Sequence, residues 1–135
     1  MGTSNRMEDF SPEHALRALR TSIAESRQRV RDRLGGVLEP RKLAEAELAT
    51  SELVTNAVRH AQVGDEATIE IDFEVEAGTV RVTVIDAGPG FDFGKILRTS
   101  SEEPGGWGLF LVEALADRWA VDPTPPHSVW FEIDR

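Results

Sequence analysis

Two runs of strict apolar–polar alternation, separated by a glycine, constrain what this chain can fold into. Ile69, Ile71, Phe73 and Val75 alternate with Glu70, Asp72 and Glu74, and after Ala77-Gly78 the residues Val80, Val82 and Val84 take up the same two-residue period. Successive side chains of a strand point to opposite faces, so the pattern predicts a half-buried hairpin with one face on a core. Val129, Phe131 and Ile133 repeat it and predict a last strand. A sheet with one apolar face must be covered, and the remaining segments read as helices. Ser11-Pro12 is suited to cap and open one, on which Leu16, Leu19, Ile23, Val30 and Leu34 recur at helical spacing until Gly35-Gly36 stops it. A second helix is expected from Pro40 to about Ala61, with Leu43, Ala46, Ala49, Leu53 and Ala57 along one side, and a third from Leu109 to Trp119. The expected class is α+β: a two-layer α/β sandwich with helices packed on one face of a mixed, mainly antiparallel sheet. Residues 1–10 read as an N-terminal tail and 11–135 as a single domain. The segment from Phe91 to Pro104 is the long connector, a length that marks functional lids more often than packed structure.

Composition narrows the job without naming it. A chain of 135 residues, 40% hydrophobic, suits one domain with one core. It holds no cysteine, which excludes disulfides and thiolate metal sites. No apolar run approaches the ~20 residues of a membrane span. The polar start Met1-Gly2-Thr3-Ser4-Asn5-Arg6 lacks a signal-peptide core, so a cytoplasmic location and no membrane partner are expected. The net charge of −9 argues against direct nucleic-acid binding, whose affinity comes largely from Lys and Arg. Charge is uneven: Arg6 to Arg33 holds seven arginines against five acids, and the arginine run reads as a solvated helix face.

Three short segments carry the candidate chemistry. They are Ser51-Glu52-Leu53-Val54-Thr55-Asn56-Ala57, Asp86-Ala87-Gly88-Pro89-Gly90 and Gly105-Gly106-Trp107-Gly108-Leu109. Glu52 and Asn56 lie four residues apart and so nearly on one helix face. An amide oxygen from Asn56, with nucleotide phosphates and water, is a suitable ligand set for Mg²⁺. A carboxylate one turn earlier, Glu52, is the candidate general base for phosphoryl transfer. Taken alone the pair reads as an ordinary polar helix edge, and the two downstream motifs reverse that. Asp86 follows a β-branched run, where a buried carboxylate needs a donor such as an adenine amino group; a locally satisfied strand-ending turn is the alternative. Gly105, Gly106 and Gly108 precede the third helix, where bare amides and the helix N-terminus suit an anion, although a simple helix cap would use the same glycines. His60 reads as a helix-end residue.

In this order and spacing the segments resemble the N, G1 and G2 boxes of the GHKL (Bergerat-fold) ATP-binding superfamily, over roughly Leu43 to the C-terminus. The short distance from the third segment to the chain end is most similar to the anti-sigma-factor serine kinase branch. The resemblance implies a Bergerat fold binding ATP/ADP and Mg²⁺. Asn56 would be the metal ligand, Glu52 the acidic residue one turn before it that acts as catalytic base, and Asp86 the contact to adenine. Gly88 and Gly90 would let the backbone approach the base, while Gly105, Gly106, Gly108 and Leu109 would lie along the nucleotide. It also implies partner switching between a sigma factor and a STAS-type anti-anti-sigma protein, hence transcription regulation, and a homodimer. The chain departs from that branch at Glu103-Pro104-Gly105, where a basic or polar residue is usual, and at Trp107 between the glycines. Arg98 or Lys95 would then have to supply the missing cation.

Three function classes follow: a protein serine/threonine kinase, favoured here; a nucleotide-gated binding module without transfer; and a detached histidine-kinase-like catalytic domain. The last has only His14-Ala15-Leu16-Arg17, a faint resemblance to a phosphoacceptor segment. His14 itself is expected to be an exposed first-turn residue.

Overall fold

A computed structural model of the protein describes residues 15–17, 21–60, 68–86, 108–122 and 128–135. Strand β1 (Ala15–Arg17) is followed by helices α1 (Thr21–Leu34) and α2 (Pro40–His60), the hairpin β2 (Thr68–Val75) and β3 (Thr79–Asp86), helix α3 (Gly108–Leu115), and strands β4 (Arg118–Asp122) and β5 (Ser128–Asp134). The strands form one sheet in the order β1-β2-β3-β5-β4. Every pairing among the described residues is antiparallel, so the expected parallel component is not found there. The expected tail, His14, the Phe91–Pro104 connector and Gly88, Gly90, Gly105 and Gly106 lie outside the described residues.

The alternation read from the sequence sets the register. Val82 stands opposite Phe73 on one side and Phe131 on the other, and Val84 stands between Ile71 and Val129. These residues are buried together with Val30, Leu34, Ala46, Ala49, Leu53, Val54 and Ala57 of the helices and Val112 of α3. Burial of apolar surface between the layers is the main stabilising contribution. Alanines at 46, 49 and 57 let α2 approach the sheet, and α1 and α3 pack against α2. Pro40 suits the first turn of α2, because the amide it lacks would have no helical partner there. Leu43 N–H donates to Glu39 C=O at 2.8 Å to begin the ladder. The end of α1 needs a glycine: Gly35 N–H donates to Arg31 C=O at 2.9 Å, and a Cβ at this position would lie 2.5 Å from that same oxygen.

Two helix boundaries differ from expectation. Ala15–Arg17 form β1 against β2, with Leu16 opposite Ile69, and α1 starts only at Thr21. The outer edge of β2 presents unpaired backbone groups, and pairing them outweighs the weak helical pattern of Leu16 and Leu19. The third helix stops at Leu115 and does not reach Trp119. Asp117 N–H donates to Glu132 C=O at 2.8 Å and the chain enters β4, where Trp119 pairs with Phe131. A spacing of four is even, so Leu115 and Trp119 satisfy the helical period and the strand period alike.

The opposite face of the sheet carries an ordered row of charge. Arg81 donates to Glu132 through Nε at 3.0 Å and Nη2 at 2.7 Å, Arg118 Nε donates to the other Glu132 oxygen at 2.7 Å, and Arg118 also bonds Asp134. The Arg81 guanidinium lies 3.8 Å over the Trp130 ring. The Arg118 hydrogen bond first, and Arg81 second, hold the Glu132 carboxyl below its ordinary value. A depressed carboxyl contributes stability above its unfolded pKa and loses it as pH falls through the folded one. Glu132→Gln is therefore expected to destabilise by on the order of 1 kcal/mol at neutral pH. That gap should close as pH drops below about 4.3, the ordinary glutamate value. Urea unfolding of both proteins from pH 7 to 3 measures it, and a gap independent of pH would overturn the assignment.

Candidate functional site

Helix α2 carries the first motif on the border between core and surface. Ser51, Leu53, Val54 and Ala57 are buried, and Glu52 and Thr55 are half-buried. Asn56 is 2% exposed and forms no hydrogen bond among the described residues. Glu52, one turn earlier on the same edge, likewise makes no hydrogen bond or ion pair among the described residues. The neighbouring hydroxyls are committed locally: Ser51 Oγ donates to Leu48 C=O at 3.0 Å and Thr55 Oγ1 to Ser51 C=O at 2.6 Å. His60 is the last residue of α2, matching its reading as a helix-end residue.

One long-range bond sets the direction of this helix. Lys42 Nζ donates to Asp134 C=O at 2.8 Å, and Asp134 pairs with Thr79 at the start of β3. Asn56 lies about 21 Å further along the helix axis at 1.5 Å per residue. The eight residues of β3 span a similar distance, about 25 Å. The motif end of α2 therefore reaches the end of the sheet where β3 finishes at Asp86. Asp86, the last residue of β3, pairs with Ile69 of β2.

The third segment arrives at the same end from the other side. Trp119 Nε1–H donates to Glu113 Oε1 at 3.1 Å, which folds α3 back along β4. Gly108, the first residue of α3, thus points toward the Asp122 end of β4. Asp122 pairs with Ser128, and Ser128 with Ile85 beside Asp86. Leu109 is half-buried against the core. Asn56, Asp86 and Gly108 are brought to one end of the sheet, although 52 residues of chain separate the first from the last.

Two surface residues that no motif signals belong to the surroundings of this end. Leu48 is 37% exposed one turn before Glu52, and Phe110 is 60% exposed two residues after Gly108. Phase could have found Phe110: Leu109 and Val112 define the inward side of α3, and position 110 falls outside it. Among the described residues no cluster of three or more His, Cys, Asp or Glu could hold a metal ion, and no helix is long and apolar enough to cross a membrane.

The chain is similar to known proteins. The sequence pattern of the histidine kinase-like ATPase domain matches residues 13–129. The serine-protein kinase RsbW of Oceanobacillus iheyensis is 36% identical over 99 residues, covering 65% of this chain and 61% of that protein. RsbW of Staphylococcus aureus is 35% identical over 99 residues, covering 64% and 62%. The chain thus spans about three fifths of the length of the curated relatives it matches. Among solved structures, the histidine kinase AdeS of Acinetobacter baumannii superposes with a TM-score of 0.51 at 16% identity. That match covers 89% of this chain and 66% of that one, and it speaks to the fold alone.

Proposed function

The chain belongs to the histidine kinase-like ATPase domain family, and from that premise we propose that it is an ATP-dependent protein serine/threonine kinase of the anti-sigma-factor type. The observation that carries the reading is the convergence of Asn56, Asp86 and Gly108 at one end of the sheet, with Glu52 on the edge of the same helix as Asn56. The described residues fit the proposed cofactor: the amide of Asn56, buried on the motif helix, offers a neutral hard-oxygen ligand, suited to an ion that keeps phosphate and water around it. When bound, Mg-ATP supplies the phosphoryl group. Asn56 would hold the metal, and Glu52 would accept the proton of the attacking hydroxyl. Asp86 would accept from the adenine amino group, with Gly88 and Gly90 leaving the backbone room to approach the base. Amides of Gly105, Gly106 and Gly108, at the start of α3, would face the phosphates, with Leu109 behind them. The names of the RsbW relatives support a serine as acceptor. The STAS-type antagonist, the sigma factor, the homodimer and the cytoplasmic setting belong to the same proposal.

A nucleotide-gated binding module is the second reading, favoured by one feature: Glu103-Pro104-Gly105 puts no cation immediately before the phosphate segment. The histidine-kinase reading loses its helical context, because residues 15–17 next to His14 form a strand.

Calorimetric titration with ATP, ADP and GTP, with and without Mg²⁺, tests the premise common to kinase and switch. Guanine sets a carbonyl where adenine has its amino group, and two facing acceptors cost about 1–3 kcal/mol. ATP and ADP are expected to bind tighter than GTP by that margin, roughly 5- to 150-fold. Asp86→Ala should abolish most nucleotide-dependent thermal stabilisation. Equal ATP and GTP affinity would remove the adenine assignment.

A further inference from the structure

The buried side of α1 changes character halfway along the helix. Ser22, Ser26, Val30 and Leu34 follow one another at i, i+4 spacing and are all buried, so one stripe carries two hydroxyls and then two aliphatic side chains. The facing side of α2 is polar at the level of the hydroxyls. A short connection joins the two helices and they pack together, with Arg31 donating to Glu47 at 2.7 Å, so residues before Arg31 meet residues after Glu47. Thr50 and Val54 follow Glu47 at i+3 and i+7 and continue the side turned to α1. Thr50 is fully buried, and its hydroxyl has no hydrogen-bond partner among the described residues. Ser26 Oγ donates to Ile23 C=O at 2.6 Å and Ser51 Oγ to Leu48 C=O at 3.0 Å, so both protons stay within their own helices.

The two halves of α1 are therefore held with unequal strength. In the second half Val30 and Leu34 belong to the main core, Arg33 lies 5.0 Å over the Phe73 ring, and Gly35 closes the helix end. The Arg31–Glu47 pair adds to this anchor. In the first half the apolar contact is Ile23, half-buried against the core, while the fully enclosed positions are serines facing Thr50. Burying a hydroxyl without a partner opposes packing, and a serine brings little apolar surface to offset that. Upstream, the nearest described anchor is β1, three residues paired to the edge of β2. Segments with few buried apolar contacts open before the rest of a domain does.

We infer that residues 21–28 of α1 form a strap that opens as one unit while Val30 and Leu34 stay docked, baring the flank of α2 that holds Thr50 and Val54. The inference rests on burial and hydrogen bonding along this seam and is independent of the nucleotide assignment. Amide hydrogen exchange of the full chain, resolved by nuclear magnetic resonance, tests it. Amides 25–32 take their helical acceptors from residues 21–28, so they are expected to share one protection factor, about tenfold or more below that of amides 33–35. Ordinary fraying would instead give protection that climbs steadily from the helix start, and that profile would overturn the inference. Val30→Ala removes a contact kept in the open form, so it should lower protection of amides 33–35 by about tenfold and leave amides 25–32 unchanged. An equal loss in both blocks would mean that α1 opens only as a whole. Thr50→Val keeps the shape and removes the enclosed hydroxyl, and it should raise protection of amides 25–32 by about fivefold. Unchanged protection there would remove the polar seam as the cause of opening. The parent profile and Thr50→Val decide the matter even where Val30→Ala compromises folding.

Discussion

Glu52→Gln is expected to leave Mg-ATP affinity within a few-fold of the parent while lowering phosphotransfer to a partner serine by about 10²–10⁴, the usual contribution of a general base. The substitution keeps size and polarity and removes only the proton acceptor. It should also spare the fold, because Glu52 is half-buried and makes no ion pair or hydrogen bond among the described residues. Asn56→Ala provides the contrast on the same helix. Loss of a metal ligand should weaken nucleotide binding in the presence of Mg²⁺ and little in its absence. Labelled ATP, the purified chain and an acceptor protein already shown to take phosphate from the parent read out both effects. Transfer by Glu52→Gln at the parental rate would remove Glu52 as base. Tight Mg-ATP binding by a parent that labels no cognate STAS partner would replace the kinase with the nucleotide-gated switch.

The second large effect concerns stability. Phe131 is fully buried and the largest of the fully buried side chains among the described residues, in register with Val82 on one side and Trp119 on the other. Truncation to alanine removes its transfer free energy and leaves a cavity where two strands and the helix layer meet, a loss of about 3–5 kcal/mol. Against a total of about 5–15 kcal/mol for a domain of this size, that is enough to populate the unfolded state. Urea unfolding should show a lower midpoint with an unchanged slope. A loss below about 1 kcal/mol would mean that the core closes around the gap.

How much of this is legible in the sequence depends on the distance over which each signal acts. The β2–β3 hairpin is readable because seven consecutive register pairs repeat one local pattern. Helix α2 is readable because Leu43, Ala46, Ala49, Leu53 and Ala57 hold one phase through 21 residues, more than five turns. β1 is not, since three residues are too few to show a period, and its pairing is with an edge some 53 residues away. β4 is hidden because its Trp119 also continues the helical spacing of α3. The candidate site divides in the same way. Glu52 and Asn56 share an edge by local geometry alone, whereas their meeting with Asp86 follows from the direction of α2, fixed by a Lys42–Asp134 bond spanning 92 residues. The exposure of Phe110 is likewise a property of the assembled layers.

The strand order has a consequence for how the chain is made. β5 sits between β3 and β4 in the sheet, yet every other described element precedes it in the chain. During synthesis, at about 5–20 residues per second, the hairpin and all three helices emerge while the slot beside β3 is still empty. For that interval Val80, Val82 and Val84 have no neighbour on one side, and β4 has no partner at all. An open strand edge of this kind can recruit another nascent chain. The waiting period ends only when Ser128–Asp134 has left the ribosome and closes the sheet from within.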